Sequence, residues 1–373
     1  MKKTFRYKNI LLYTSHQWCG NTEEYFVKNT ERLAVFLLMP RIKTKDNILR
    51  IYEKGKLKKT LETPLTSNFF LYYLLWYYHY IIAIFKYFPR NEMLVVVTAH
   101  PYVLFATTIQ KMFRKIEFVY YIADYYPPIN LTMKLYERLK KFYHKGVKYR
   151  IYLGDGVNKI MNGKVVDSEN RKTIMLGVKS KHIKRDIKKT GDTILFVGVI
   201  RPNVGLDIVY KFLKDKPKYK LKILGICDKV LYQKHKEIIK EYKISDRVYF
   251  PNRFFFDDEM NKESKECFVG VALYTIDNTS TIFYADPGKV KTYSEMGLPV
   301  IMSKTSSIAP YIKKLHSGEV IDRNPSALFL ACEKIKRDYK RYVNGVEKLN
   351  KHFDYSKYYG EKFKFLDNAF NTK

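Results

Sequence analysis

A chain of 373 residues is too long for one ordinary hydrophobic core and suits two domains. Its 46% hydrophobic residues are enough for packed interiors, which excludes an intrinsically disordered chain. Against 37 Asp and Glu stand 69 Lys and Arg, a formal charge of +32 that points to an anionic partner: nucleic acid, lipid headgroups or a phosphorylated substrate. The cysteines at 19, 227, 267 and 332 form no CxxC and no Cys/His cluster at metal spacing, so they read as free thiols in a reducing compartment. The basic N-terminus has an apolar run only over residues 10–13, too short for a signal peptide, so the domains are expected to face the cytoplasm.

In chain order, residues 9–13 predict a first buried strand, followed by a loop over 15–21 that contains His16 and one glycine, Gly20. A helix is expected over 22–33, with Thr22 as N-cap and Glu23 and Glu24 in the first turn. A second strand follows at 34–38, then a short hairpin from 48–52 and 57–61 around Lys54-Gly55. Residues 69–85 form a charge-free, aromatic-rich run ending at Lys86. Contact with a lipid–water interface, burial as a core helix and a full membrane span are the three readings of it, in that order of preference. The β-branched and aromatic runs at 93–98 and 118–122 predict interior parallel strands, each soon followed by a polar residue, His100 and Asp124. A strand at 149–153 and a helix near 157–161 complete the first half. Two basic clusters, 41–59 and 134–150, lie in the same half as the aromatic run, as on a protein resting on an anionic leaflet.

The polar stretch 178–192 marks a join, after which the alternation restarts. Strands are expected at 193–199, 220–224, 248–250, 269–274 and 299–302, and helices at 206–213 and 229–242. This order predicts two doubly wound parallel sheets, each presenting ligands at the carboxyl ends of its strands. Residues 284–303 are the most telling stretch: a polar loop, Pro287-Gly288-Lys289 opening a helix, a glycine stop and an apolar strand. A helix opening in this way turns its first N–H groups and positive dipole end toward an anion, and Lys289 adds a full charge. The turn after residues 194–199 supplies a second cation, Arg201, ahead of Gly205. Together the two turns suit a diphosphate.

With these elements in place the chain resembles the GT-B glycosyltransferases, specifically the retaining family-4-like group, most clearly over residues 194–322. The resemblance is carried by the glycine turn at 198–205, the strand LKILG at 221–225, the loop and strand at 246–254, and the P-x-K block at 287–301. LGV at 176–178 is similar to the segment that precedes the family's interdomain linker. The chain departs from the pattern at Val204, where the family has a lysine, and at Tyr284 and Thr292, where it has two glutamates; Asp286 and Glu295 lie nearby.

The resemblance implies a GT-B fold, with a Rossmann-like acceptor and membrane-facing domain over 1–178, a Rossmann-like donor domain over 179–352, and a helix over 353–373 crossing back to the first domain. It implies a nucleoside diphosphate sugar as donor substrate, no cofactor, retention of anomeric configuration, and a lipid-linked or surface-glycan acceptor at the inner face of the cell membrane. The donor residues it implies are Gly198, Arg201, Asn203, Asn252, Arg253, Pro287, Gly288, Lys289, Val290 and Glu295. Asp124, His100 and Arg201 are the expected catalytic residues, and His16 and Gly20 the acceptor loop. No D-x-D triplet occurs, so no metal is expected. A sugar-nucleotide epimerase of the same fold and a basic nucleic-acid-binding protein are the alternatives, but no RNP-like sequence or zinc finger supports the latter.

Overall fold

The computed structural model describes residues 4–14, 21–37, 47–63, 69–127, 130–180, 191–275, 281–284, 286–305 and 307–371. The chain divides into two compact units, one of residues 1–177 with 355–373, the other of residues 178–354.

The first unit is built on an eight-stranded sheet in the order β4-β3-β2-β1-β5-β6-β7-β8. Its strands are β1 (Tyr7–Thr14), β2 (Thr30–Leu37), β3 (Asn47–Glu53), β4 (Lys56–Thr63), β5 (Leu94–Thr98), β6 (Ile116–Ile122), β7 (Tyr149–Tyr152) and β8 (Arg171–Thr173). All neighbours are parallel except the β2–β3 and β3–β4 pairs, where the Lys54-Gly55 hairpin adds an antiparallel edge. The central strands β1, β2, β5 and β6 are almost wholly buried, as expected of strands covered on both faces. The helices are α1 (Thr22–Asn29), α2 (Phe69–Lys86), α3 (Pro101–Gln110), α4 (Leu131–Gly146) and α5 (Asp155–Asn162).

The expected helix over 22–33 is a correction. It stops at Asn29, its N-cap is Asn21 in the left-handed region (φ 59°), and Thr30–Leu37 is strand. Thr30 pairs with Tyr7 and Leu33 with Ile10, so parallel pairing with β1 claims residues whose composition suits a helix. Tertiary hydrogen bonding outweighs the small differences in propensity there. Of the three readings of 69–85, the helix exists as α2, and among the described residues no helix is long and apolar enough to cross a membrane. Tyr80, Ala83 and Ile84 bury one face of α2, while Leu71, Leu74 and Tyr78 are exposed.

The second unit is a wholly parallel six-stranded sheet. In chain order its elements are β9 (Thr193–Val199), α6 (Leu206–Asp215), β10 (Lys220–Ile226), α7 (Lys229–Glu241), β11 (Val248–Tyr249), α8 (Asp257–Glu263), β12 (Cys267–Ala272), α9 (Thr281–Tyr284), α10 (Gly288–Glu295), β13 (Val300–Ser303), α11 (Ala309–Leu315), β14 (Gly318–Ile321), α12 (Pro325–Arg337) and α13 (Tyr339–His352). The spatial order is β11-β10-β9-β12-β13-β14. From β9 the chain winds outward through β10 and β11, then returns to the other side of β9 as β12. The order therefore reverses between β9 and β12, and in open α/β sheets that reversal opens a crevice at the carboxyl ends of the strands. Helices α14 (Tyr355–Lys362) and α15 (Leu366–Asn371) belong to the first unit.

Candidate functional site

The β9–β12 crevice is built from a split in the sheet. Pairing between the two strands runs Thr193↔Cys267, Ile194↔Val269 and Leu195↔Gly270, and ends there. Tyr293 of α10 fills the opening: its hydroxyl donates to Val271 O at 2.9 Å and accepts from Val197 N–H at 3.1 Å. The ring lies over Gly270, where any Cβ would come within 2.4 Å of it. One tyrosine thus replaces a missing rung of the ladder, keeps two buried backbone groups satisfied and fixes α10 against the fork. Burial holds this phenol protonated, its pKa well above the ordinary tyrosine value.

Above the fork the loop after β9 and the segment after β12 are tied together. Asn203 O accepts the Thr275 N–H at 3.1 Å. Gly205 sits at φ 84° with the Leu273 carbonyl 2.2 Å from where a Cβ would stand, so only glycine allows the two chains to approach this closely. Gly198, also at positive φ (96°), pairs with Gly225 of β10 one residue before β9 ends at Val199, and Arg201 lies in the turn that follows. The Arg201 side chain is exposed and makes no hydrogen bond or ion pair with any described residue.

Lys289 comes from the opposite wall, in the first turn of α10. The residue as a whole is half-buried, but its Nζ is shut off from solvent and has no hydrogen-bond acceptor among the described residues. The ammonium lies 3.7 Å from the centroid of the Phe196 ring and 5.2 Å from that of Tyr274, so two aromatic faces replace its hydration shell. Burial, and then the positive charge of Arg201, push its pKa down to about 7. A buried cation beside a second cation, at the positive end of a helix and with no ion-pair partner among the described residues, is arranged to receive an anion. Pro287 caps α10, its carbonyl accepting Val290 N–H at 3.0 Å; Pro287 and Val290 are buried and Gly288 is exposed.

The remaining residues expected to bind donor are placed differently. Asn252, at φ 50°, uses its amide on the backbone of Cys227, with Oδ1 2.9 Å from that N–H. Arg253 is exposed, forms a fork with Glu259 at 2.9 and 3.2 Å, and stacks on Phe255 at 3.9 Å. Glu295, at the far end of α10, accepts the Lys179 N–H at 2.6 Å. Sequence reasoning missed Lys291, which is buried with its Nζ 3.1 Å from the Phe353 ring centroid and no hydrogen-bond acceptor among the described residues. Its burial, opposed by Asp286 and Glu295, pushes its pKa down to about 8. It also missed Tyr293. The signal available for both was an eight-residue helix whose inner face carries polar tips rather than aliphatic ones.

In the first unit, the sheet order reverses between β1 and β5. His100 follows β5 at this point and precedes Pro101 of α3, with its N–H on Thr98 Oγ1 at 3.0 Å and its ring edge-on to Tyr13 at 5.5 Å. Asp124 follows β6, and its backbone carbonyl accepts from the buried ammonium of Lys140. His16 and Gly20 lie outside the described residues. Among the described residues no group of three or more His, Cys, Asp or Glu is placed to hold a metal ion.

No family model matches this chain, and no curated protein matches it. Solved structures do. Sucrose-phosphate synthase from Thermosynechococcus elongatus is 13% identical, with 99% of this chain and 100% of that one covered at a TM-score of 0.73. A glycosyltransferase from Rickettsia africae is 12% identical, with 98% and 99% covered at 0.66. HepE from Anabaena, in complex with UDP and glucose, is 13% identical, with 97% and 99% covered at 0.65. At such identities the likeness is one of fold, and the two Rossmann-like α/β units of this chain have the GT-B fold.

Proposed function

We propose that the protein is a glycosyltransferase that takes a hexosyl group from a nucleoside diphosphate sugar, with the diphosphate held between Arg201 and the Lys289 end of α10. One observation carries this reading: the Lys289 ammonium is buried, has no acceptor among the described residues, and stands at a helix N-terminus at the crevice where the sheet order reverses. As the glycosidic bond breaks, negative charge grows on the leaving diphosphate. The enclosed Lys289 ammonium and the helix dipole, joined by the exposed Arg201 guanidinium, offset that charge. We read the mechanism as metal-free, family-4-like and retaining, and the acceptor as a lipid-linked or surface glycan at an anionic membrane face; the chain's charge of +32 supports the membrane part of this reading. The fold-level likeness to a structure holding UDP and glucose supports a nucleotide-sugar donor.

A thermal-shift panel of nucleoside diphosphates and their sugars tests the reading, because a ligand that prefers the folded chain raises its melting temperature. Selective stabilisation by one base, abolished together with sugar transfer in Arg201→Ala, is the expected result. Equal turnover by that variant would remove the diphosphate clamp.

A further inference from the structure

Helix α4 is packed inside out. An amphipathic surface helix ordinarily buries its apolar stripe and exposes its charges. Here Glu137, Lys140 and His144 face the protein at 2% to 7% exposure, while Leu131, Leu135, Leu139 and Phe142 stand outward at 37% to 71%. Each inward polar side chain has a partner, although Glu137 Oε2 is buried without a hydrogen bond. Lys140 pairs with Glu137 at 3.0 Å and donates to Asp124 O, Glu137 Oε1 accepts Tyr126 N–H at 3.1 Å, and His144 meets the Tyr152 hydroxyl at 2.8 Å. The orientation is thus fixed by the fold. The outward residues recur at i, i+4, i+8 and i+11, so they form one stripe along the helix. Lys134, Arg138, Lys141 and Lys145, all exposed, border one side of that stripe. The turn after α3, which packs against α4, adds exposed Met112 and Phe113 between Lys111 and Lys115.

We infer that α4 is the membrane seat of this protein: its Leu/Phe stripe enters the acyl boundary of an anionic leaflet and its Lys/Arg border meets the headgroups. Four large apolar side chains held out beside a row of cations match a lipid–water interface, where insertion and headgroup attraction act together. A protein partner would need an apolar groove edged with acid on one side only. The chain's charge of +32 favours the lipid surface by the same sign. This seat is a different element from the aromatic helix α2, and it stands independently of what the β9–β12 crevice binds.

The full chain is sedimented with vesicles of phosphatidylcholine alone and with about one third phosphatidylglycerol. Binding only to the anionic vesicles is expected, weakened roughly tenfold or more in Leu135→Glu/Phe142→Glu. The comparison variant Leu71→Glu/Leu74→Glu on α2 is expected to keep most of the binding. Both pairs replace exposed side chains, so an unchanged melting temperature confirms folding, and an unchanged shift with nucleotide sugar separates this test from that of the crevice. Wild-type binding by Leu135→Glu/Phe142→Glu overturns the inference. So does indifference of the unmodified chain to both vesicles, and a dimer in light scattering that these substitutions dissolve would then name a second copy as the occupant.

Discussion

Lys289 is the residue on which the proposed site depends, and its position predicts opposite consequences for stability and binding. A desolvated ammonium without an acceptor is a cost to the free protein. Lys289→Met keeps the stem against Phe196 and Tyr274 and removes the charge. The variant is expected to gain about 1 kcal/mol in denaturant unfolding, while nucleotide-sugar affinity by calorimetry falls roughly tenfold or more. A loss of both would mark Lys289 as a purely structural residue. The pH dependence follows with its sign. Because the folded pKa, about 7, lies below the ordinary 10.5, the unfolded chain binds more protons between these values, and the fold gains stability as pH rises through that window. A bound diphosphate restores the proton, so binding takes one up. Affinity for a nucleotide sugar, whose diphosphate diester does not titrate near neutrality, is then flat below about pH 7 and falls by up to tenfold per unit above it. Lys289→Met flattens the profile; a slope that survives in that variant assigns the proton to another group. The sequence named Lys289 from Pro-Gly-Lys at a helix start, yet its burial was illegible there, since Phe196 and Tyr274 reach it from elsewhere in the chain.

Elements were legible where one rule decided them and obscure where two competed. The valine-rich β5 and the aromatic β6 read directly as buried parallel strands, and the Lys54-Gly55 hairpin as a turn with its flanks. The start of β2 did not, because Thr30–Arg32 look helical and only pairing with β1 makes them strand. The orientation of helix α4 was illegible for another reason: Glu137, Lys140 and His144 face the protein while its leucines and Phe142 face out, so its apolar side does not mark the buried face. Tyr293 shows what no local pattern contains, a side chain standing in for a strand-to-strand hydrogen bond. Tyr293→Phe keeps the ring over Gly270 but strands Val197 N–H and Val271 C=O in a dry interior. We expect a loss of about 1–3 kcal/mol in stability, measured by denaturant unfolding. Nucleotide-sugar affinity is expected to drop with it, because α10 is no longer fixed against the fork. A neutral substitution would show that water reaches the split and replaces the hydroxyl.

At the scale of the whole molecule, sequence order and spatial membership part company: the last residues of the chain complete its first unit. The tail's own residues give little sign of this destination, which the resemblance alone implied, because its partners lie at the opposite end of the sequence. Arg6 forms a fork with Asp367 at 2.9 and 2.8 Å and donates to Gly360 O at 2.6 Å. The Tyr7 hydroxyl donates to Phe363 O, and the Tyr359 hydroxyl meets both Thr22 Oγ1 and Gly177 N–H. Phe363 and Leu366 are fully enclosed, with the Phe363 ring packed on Tyr25 and Phe26. Gly177 is in close contact as well, since a Cβ there would lie 2.8 Å from that of Tyr355. The tail therefore acts as core for residues 4–177, and its removal exposes the aromatic faces of α1 and β1 together. Ending the chain at Asp354 is expected to raise amide exchange throughout β1, α1 and β2 while residues 193–350 keep their protection, since the second unit forms its own sheet without the tail. Arg6→Ala, which removes the fork and the bond to Gly360 O but leaves the aromatic packing, should lower the melting temperature by only a few degrees. Equal protection of β1 with and without residues 355–373 would show that the first unit closes its core unaided, and that the tail's contacts are incidental to its stability.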